Sequence, residues 1–397
     1  MLARHPIYLG ASVKTVSVIL PVYNAETYLP LALASLLLQD HDALELICIN
    51  DGSTDLSGDI LRKAASQDPR VVVVERENRG LIATLNEGLQ RASGDLVARM
   101  DADDIAYPTR ISTQVQAFAQ DPELAMSGCF FHTLFSTNRM LPTGTPEATG
   151  MPELRVLSRF YTILRHPTVM FRRSAMPEGM LRYDAAYPCA EDFDLFRRIA
   201  RDCKVAQTSE PLLAYRLHDG SVSATRMSEM VRSHVKIVEE ELARHYPEAA
   251  GTGFDRIGDQ VSADTVDRAS DLIRRLNGLA ASQPPEEAKA YRMGIENVFY
   301  FLFSHIRGQG RHDLAHRFID QSGRWDMIRR RERPILQASR HAPVVGTVGY
   351  SLLKASWDAS KWLGSCNAAT LIPELPRITA RAAGLALHHH VGVKSHA

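Results

Sequence analysis

The stretch Leu96-Val-Ala-Arg99-Met-Asp101-Ala-Asp103-Asp104 runs an apolar segment straight into three carboxylates. If the apolar part is a sheet strand, the acids stand where it ends, and in open α/β sheets ligands bind at that end. Carboxylates two residues apart on an extended backbone point to the same side, so Asp101 and Asp103 are placed to meet one divalent cation. Their oxygens suit Mg²⁺ or Mn²⁺, which bind through one or two carboxylates plus the oxygens of a diphosphate. An isolated Asp-x-Asp is more often a solvated acidic turn, so the neighbouring motifs decide. Asp104 reads as an ordinary turn residue.

Two more acidic sites follow the same pattern. In Cys48-Ile-Asn50-Asp51-Gly52-Ser53-Thr54-Asp55 an acid closes an apolar run and glycine permits a tight turn with close ligand approach. A carboxylate there can accept the ring N–H of a uracil, while Ser53 or Thr54 is expected to cap the following helix. Glu191 and Asp192 open the amphipathic segment Ala190–Arg201. Acids in a first turn commonly compensate the helix dipole, worth roughly 0.3–1 kcal/mol; alternatively one of them is a general base for an acceptor hydroxyl.

The elements that must position these residues are legible from periodicity. Val16–Leu20 is a short apolar run that Pro21 is expected to stop, as in a buried parallel strand. Residues 27–38 have helical spacing, 44–49 form a second strand, 55–65 a helix, 71–74 a third strand, 81–92 a helix, and a fourth strand ends at Met100. Strands alternating with helices across short loops imply a doubly wound, mostly parallel α/β sheet. The stretch 121–152 is irregular, the second half of 160–173 is strand-like, and 191–201 is helical. Beyond about Thr225 long helical stretches take over at 230–245, 263–279, 285–306 and 314–331, which puts a boundary near residue 225.

The order and spacing of seven motifs resemble glycosyltransferase family 2. The series is Val18-Ile-Leu-Pro21-Val-Tyr23-Asn24-Ala-Glu26, then Asn50-Asp51-Gly-Ser-Thr-Asp55, then Glu77-Asn-Arg79-Gly80 with Asn86 and Gly88. Ala98-Arg99-Met-Asp101-Ala-Asp103-Asp104 with Pro108, Arg110 and Gln114 follows, then His166-Pro-Thr, Glu191-Asp192, and Tyr215-Arg216-Leu-His218-Asp-Gly-Ser221-Val-Ser223. The resemblance covers residues 15–225 and leaves 226–397 as a helical C-terminal domain of unassigned role. It implies the A-type nucleotide-diphospho-sugar transferase fold and an inverting transfer from a nucleotide-sugar donor, expected to be a UDP-sugar, to a hydroxyl on a glycan or lipid-linked acceptor.

The resemblance also implies residue roles. Asp103 would hold Mn²⁺ or Mg²⁺, with His218 as a second ligand or, alternatively, a partner of the loop after it. Asp101 would meet the ribose or share the cation. Asp51 would read the base, and Pro21, Tyr23, Asn24 and Glu26 would line the nucleotide pocket; apart from the resemblance, an ordinary strand-to-helix turn is the preferred reading of those four. Arg79 and Arg99 would contact nucleotide or phosphate, or Arg99 would pair with a nearby acid. Arg216 would face the diphosphate or buttress its loop. Asp192 would be the base, Glu191 would orient the acceptor, and His166 would shape the acceptor wall. Many relatives carry two aspartates where this chain has Asn50-Asp51. The chain differs from sugar nucleotidyltransferases, which carry a Gly-rich basic signature where Pro21–Glu26 stands; a catalytically silent sugar or nucleotide binder remains the reading of a different class.

Composition bounds the rest. The 397 residues balance 46 Lys and Arg against 46 Asp and Glu, with no charge signature for nucleic acid. Five scattered cysteines without a C-x-x-C pair fit a reducing cytoplasm, and His388–His390 read as an exposed tail. Val344, Val345, Val348, Leu352, Leu353, Trp357, Trp362 and Leu363 could form one apolar helical face with Lys354 and Lys361 at its margin, near Trp325 and the basic run Arg329–Arg333. Such a face either packs on the catalytic domain or makes peripheral contact with the inner face of an anionic membrane.

Overall fold

A computed structural model of the chain describes residues 15–135, 139–143, 148–218, 225–339 and 343–386. Asp219, Ser221 and Ser223 of the seventh motif and the histidine run 388–390 lie outside the described residues, as do the side chains of Val345 and Trp362.

The first strand, β1 (Val16–Val22), is buried almost throughout, as a parallel strand with helices on both faces requires. It pairs in parallel with β2 (Leu44–Asp51) on one side and β4 (Leu96–Arg99) on the other, and β3 (Val71–Arg76) extends the sheet beyond β2. The strand runs through Pro21 rather than stopping at it. The ladder to β4 ends at Ile19 opposite Arg99, and Pro21 lies beyond it, where a missing N–H costs no bond. The chain leaves β1 toward β2 and β3 and then crosses back to β4, so the strand order reverses at β1 and opens a crevice past the C-terminal ends of β1 and β4.

Helices α1 (Leu29–Leu37) and α2 (Ser57–Gln67) cover one face of this sheet, and α3 (Leu81–Arg91) covers the other. Alternate residues of β1 feed two cores. Val18 and Leu20 join Leu33, Leu36 and Ile60, whereas Ile19 joins Leu85, Leu89 and Val97. Gly88 permits the second contact: a Cβ there would stand 2.5 Å from Cγ2 of Ile19.

The remainder of the sheet is mixed. After β5 (Ile105–Ala106) and α4 (Arg110–Gln120) come the long strand β6 (Leu124–Phe135), β7 (Arg139–Leu141), a short helix α5 (Glu153–Leu157) and β8 (Met170–Arg172), which pairs antiparallel with both β4 and β6. Helix α6 (Glu191–Asp202) leads into β9 (Lys204–Leu217), parallel to β6 and antiparallel to β5.

The following helices are α7 (Met227–His245), α8 (Ala263–Leu279), α9 (Pro285–Gly308), α10 (His312–Ser322), α11 (Arg333–Ser339) and α12 (Pro343–Gly364). The single helix expected over 314–331 is interrupted because Gly323 adopts φ 69° and ends α10, a common left-handed helix stop. Strand β10 (Cys366–Asn367) then pairs with β7 at the sheet edge, and α13 (Ala368–Leu371) precedes α14 (Leu375–Leu385), whose Ile378, Ala382 and Leu385 are buried beside α1. Both cores include residues from before and after position 225.

The expected apolar face of residues 344–363 divides. Val344, Val348, Leu352 and Leu363 are exposed, whereas Leu353 packs against the core and Trp357 is half-buried beneath the guanidinium groups of Arg329 and Arg331, at 4.8 and 5.2 Å. Among the described residues no helix is long and apolar enough to cross a membrane.

Candidate functional site

The loops after β1 and β2 are stitched together at the mouth of the crevice. Asn24, with φ 47°, accepts the Thr54 N–H on Oδ1 at 2.9 Å and donates its own N–H to Ser53 Oγ at 3.0 Å. Glu26 accepts the Leu56 N–H at 2.9 Å and donates its amide to Asp55 at 3.0 Å. Asn24 and Glu26 therefore hold the β2 loop, and both side chains remain exposed at the crevice mouth. Pro21 is half-buried, and Tyr23 is 55% exposed. Neither Ser53 nor Thr54 caps α2: the helix starts at Ser57, whose amide donates to Asp55 Oδ1 at 3.0 Å.

Asp51 is buried at 4% exposure, and its carboxylate is extensively engaged. It accepts the amides of Arg79 and Gly80 at 2.8 and 2.9 Å and pairs with Arg76 Nη1 at 2.7 Å. Arg79 thus meets Asp51 through its backbone while its side chain stays exposed. Arg76, which also pairs with Glu87 at 3.0 Å, was not singled out from the sequence, since nothing local marks one arginine at a strand end.

At the end of β4 the Asp-x-Asp comes together with the last motif. Asp103 Oδ2 lies 2.8 Å from His218 Nε2, which joins the two predicted metal ligands, and carboxylate oxygens of Asp101, Asp103 and Asp104 lie within 4.8 Å of one another. Asp104 is not a solvated turn residue. It is buried, accepts the Arg216 amide at 2.8 Å, and leaves its second oxygen without a hydrogen-bond partner among the described residues. Burial and the neighbouring Asp103 and Asp101 charges hold its carboxyl well above the usual range. Arg216 buttresses the turn by donating Nε to the Asp103 carbonyl at 2.7 Å, and its guanidinium lies 4.6 Å over the Tyr28 ring. Its buried Nη2 finds no hydrogen-bond partner among the described residues.

Arg99 is 2% exposed and its Nη1 donates to Asp101 at 2.5 Å. The ion-pair alternative therefore describes its contact with Asp101. Its charge also acts on Tyr183 and Glu191, so it links the Asp-x-Asp to the start of α6. The fully buried Arg110 donates Nη2 to the Arg99 carbonyl at 2.8 Å and supports this strand end from behind.

At the start of α6 the two acids differ sharply. Glu191 is buried, and burial with the adjacent Asp192 charge pushes it up to about 7. Asp192 is only half-buried, and its Oδ1 accepts the Phe193 amide at 2.8 Å. His166 Nδ1 faces Glu191 at 3.9 Å and its Nε2 meets the Tyr183 hydroxyl at 2.9 Å. Burial, with Arg99 nearby, drives His166 well below its ordinary value and leaves a neutral imidazole at pH 7. Tyr183 is fixed in turn by reciprocal bonds between its backbone and the Asn86 amide, 2.9 Å each way. Tyr183 lies in a loop with no periodicity and is visible only once the chain is folded. Four separated motifs thus meet around Arg99: an acidic cluster with one imidazole, a carboxyl that titrates near neutrality, and a half-exposed carboxylate.

The family described as Glycosyl transferase family 2 matches residues 17–178. An uncharacterized glycosyltransferase of Haemophilus influenzae is 31% identical over 236 residues, covering 57% of this chain and 73% of that protein. The uncharacterized glycosyltransferase YibD of Escherichia coli is 30% identical over 251 residues, covering 59% and 73% respectively. Hyaluronan synthase of Pasteurella multocida is 26% identical over 237 residues, covering 58% of this chain and 23% of that much longer protein.

Proposed function

The chain belongs to glycosyltransferase family 2, and from that premise we propose that it transfers a sugar with inversion from a UDP-sugar to an acceptor hydroxyl activated by Asp192. Residues 15–225 are the catalytic unit in this reading and 226–397 an accessory helical region. The observation that carries it is the convergence of the Asp103–His218 pair and the Glu191–Asp192 pair around Arg99.

Two carboxylates and an imidazole fit Mn²⁺ better than Mg²⁺, so Asp103 and His218 would hold the ion with Asp101 beside them. Once bound, the ion would supply positive charge against the leaving diphosphate. The buried Nη2 of Arg216, without a hydrogen-bond partner among the described residues, is a protein donor for the same oxygens. Asp51 has one acceptor position left after its three bonds, which suits a uracil N–H.

Asp192 takes the acceptor proton as the hydroxyl oxygen attacks the anomeric carbon from the side opposite the diphosphate. The new C–O bond forms while the bond to the diphosphate oxygen breaks, and the nucleoside diphosphate departs with the electron pair. One displacement inverts the centre and needs one base. Glu191, held by the His166–Tyr183 arrangement, orients the acceptor. The match to a hyaluronan synthase supports a polysaccharide or surface glycan as the product class. The exposed residues Val344, Val348, Leu352 and Leu363, with Lys354, Lys361 and the exposed Arg329–Arg331 run, support peripheral contact with an anionic membrane surface.

The deciding experiment is Asp192→Asn. Transfer and donor hydrolysis should fall by about 10²- to 10⁴-fold with UDP binding retained. Undiminished turnover removes Asp192 as the base, and a wild-type protein that binds nucleotide but never turns over any donor is a silent binder.

A further inference from the structure

Beside the acid pair lies a cavity of about 590 Å³ that the reaction as written does not use. Strand β6 and the segment 154–165 form one wall, and helices α7 and α9 form the other. Phe131, Leu157, Phe160, Val238, Met293 and Phe301 are among its lining, which is aromatic and aliphatic with only scattered polar groups. The size falls in the range of small-molecule pockets, roughly 300–1,000 Å³.

One wall of the cavity reaches the start of α6 through His234 and Phe193. His234 stands in its wall, with its ring 5.2 Å from that of Phe301 and 5.3 Å from that of Phe193, the residue after Asp192. The Asp192 charge acts directly on His234. Its Nδ1 lies 2.9 Å from the Met230 carbonyl, which can only accept, so Nδ1 carries the proton. Arg165 lines the cavity immediately before His166, its guanidinium 5.4 Å over the rings of both Phe131 and Tyr215.

We propose that this cavity receives the apolar body of the acceptor, so that the acceptor is an amphiphile presenting a hydroxyl to Asp192 and burying an attached hydrocarbon or aromatic group. The proposal rests on the transferase reading above. The cavity opens to solvent beside the exposed Asn297 and exposes mostly apolar wall, a surface that gains free energy when an apolar group covers it. A wholly carbohydrate occupant would bury hydroxyls against a wall with few groups to bond them.

The test uses the full chain and two probe series held below their micellar concentrations: methyl, butyl, hexyl and octyl β-glucosides, and phenyl and naphthyl β-glucosides. By calorimetry, Kd should fall about two- to fourfold per methylene along the alkyl series, or step down through the aryl pair if the natural group is aromatic. Met293→Trp, which narrows the cavity, should weaken octyl glucoside at least tenfold; Asn297→Trp at the exposed rim is the second variant if the first lowers Tm. Affinity independent of the apolar group, or equal tightening in both variants, overturns the proposal. UDP binding is measured in the same samples. Its loss in the wild type alongside intact chain-length dependence would refute the transferase reading and leave the apolar occupant standing.

Discussion

At the residue scale, the same side-chain type takes different roles through its surroundings. Asp103 and His218 could be paired from sequence because both lie in recognised motifs, whereas the burial of Asp104 and the contacts that fix Asp51 could not be read. Their partners, the Arg216 amide and the amides of Arg79 and Gly80, are reached only through the fold. Asp51→Ala would leave two amides and Arg76 without their acceptor, and we expect a loss of about 3 kcal/mol in urea unfolding; a change within error would show that the loop holds without it. Glu191 offers a pH test. Its ordinary value is 4.5 and its folded value about 7. Between those limits the folded state retains a proton that the unfolded state has released, so the stabilisation is full below pH 4.5 and lost as pH rises through 7. Glu191→Gln should therefore gain stability over the wild type between pH 5 and pH 8, by roughly 1–3 kcal/mol. A constant difference in thermal melts across that range would contradict the assignment.

At the element scale, β1 to β4 and the helices between them were legible because each is a local pattern: an apolar run ended by a turn, or a 3.6-residue repeat. Strands β6 and β9 were not. Their pairing joins residues about 80 positions apart, carries register shifts near Gly128 and Phe130, and leaves no clean alternation. The break after Ser322 was signalled by Gly323, but the apolar spacing beyond it outweighed one glycine. Gly88 shows an element contact set by a missing atom. Gly88→Ala should push α3 off Ile19 and cost about 1–3 kcal/mol, readable as a lower urea midpoint at unchanged slope. An unchanged midpoint would mean that the sheet yields at no cost.

At the scale of the whole molecule, the catalytic motifs end near residue 225 but the cores do not. Phe160 packs against Tyr246 and Tyr291, and Gly294 on α9 gives its ring the room. A fragment of residues 15–225 should accordingly elute as aggregate and lack a cooperative melt, whereas an independent domain would give a sharp one. For the exposed stripe on α12, flotation of the full chain with phosphatidylserine vesicles should exceed that with neutral vesicles, and Leu352→Glu should abolish it. Absence of flotation in either lipid removes the membrane from the account.

The packing of α14 on α1, together with the bond from Lys63 Nζ to the Ala386 carbonyl at 2.9 Å, sets an order of events during synthesis. The first helix emerges from the ribosome roughly three hundred residues before the segment that covers it, and contacts so distant in sequence form slowly. The nascent N-terminal half must therefore wait with an apolar helix surface unsatisfied. Ribosome-arrested chains ending before residue 366 should be cleaved within α1 by a dilute protease, whereas chains carrying residue 386 clear of the ribosome should resist.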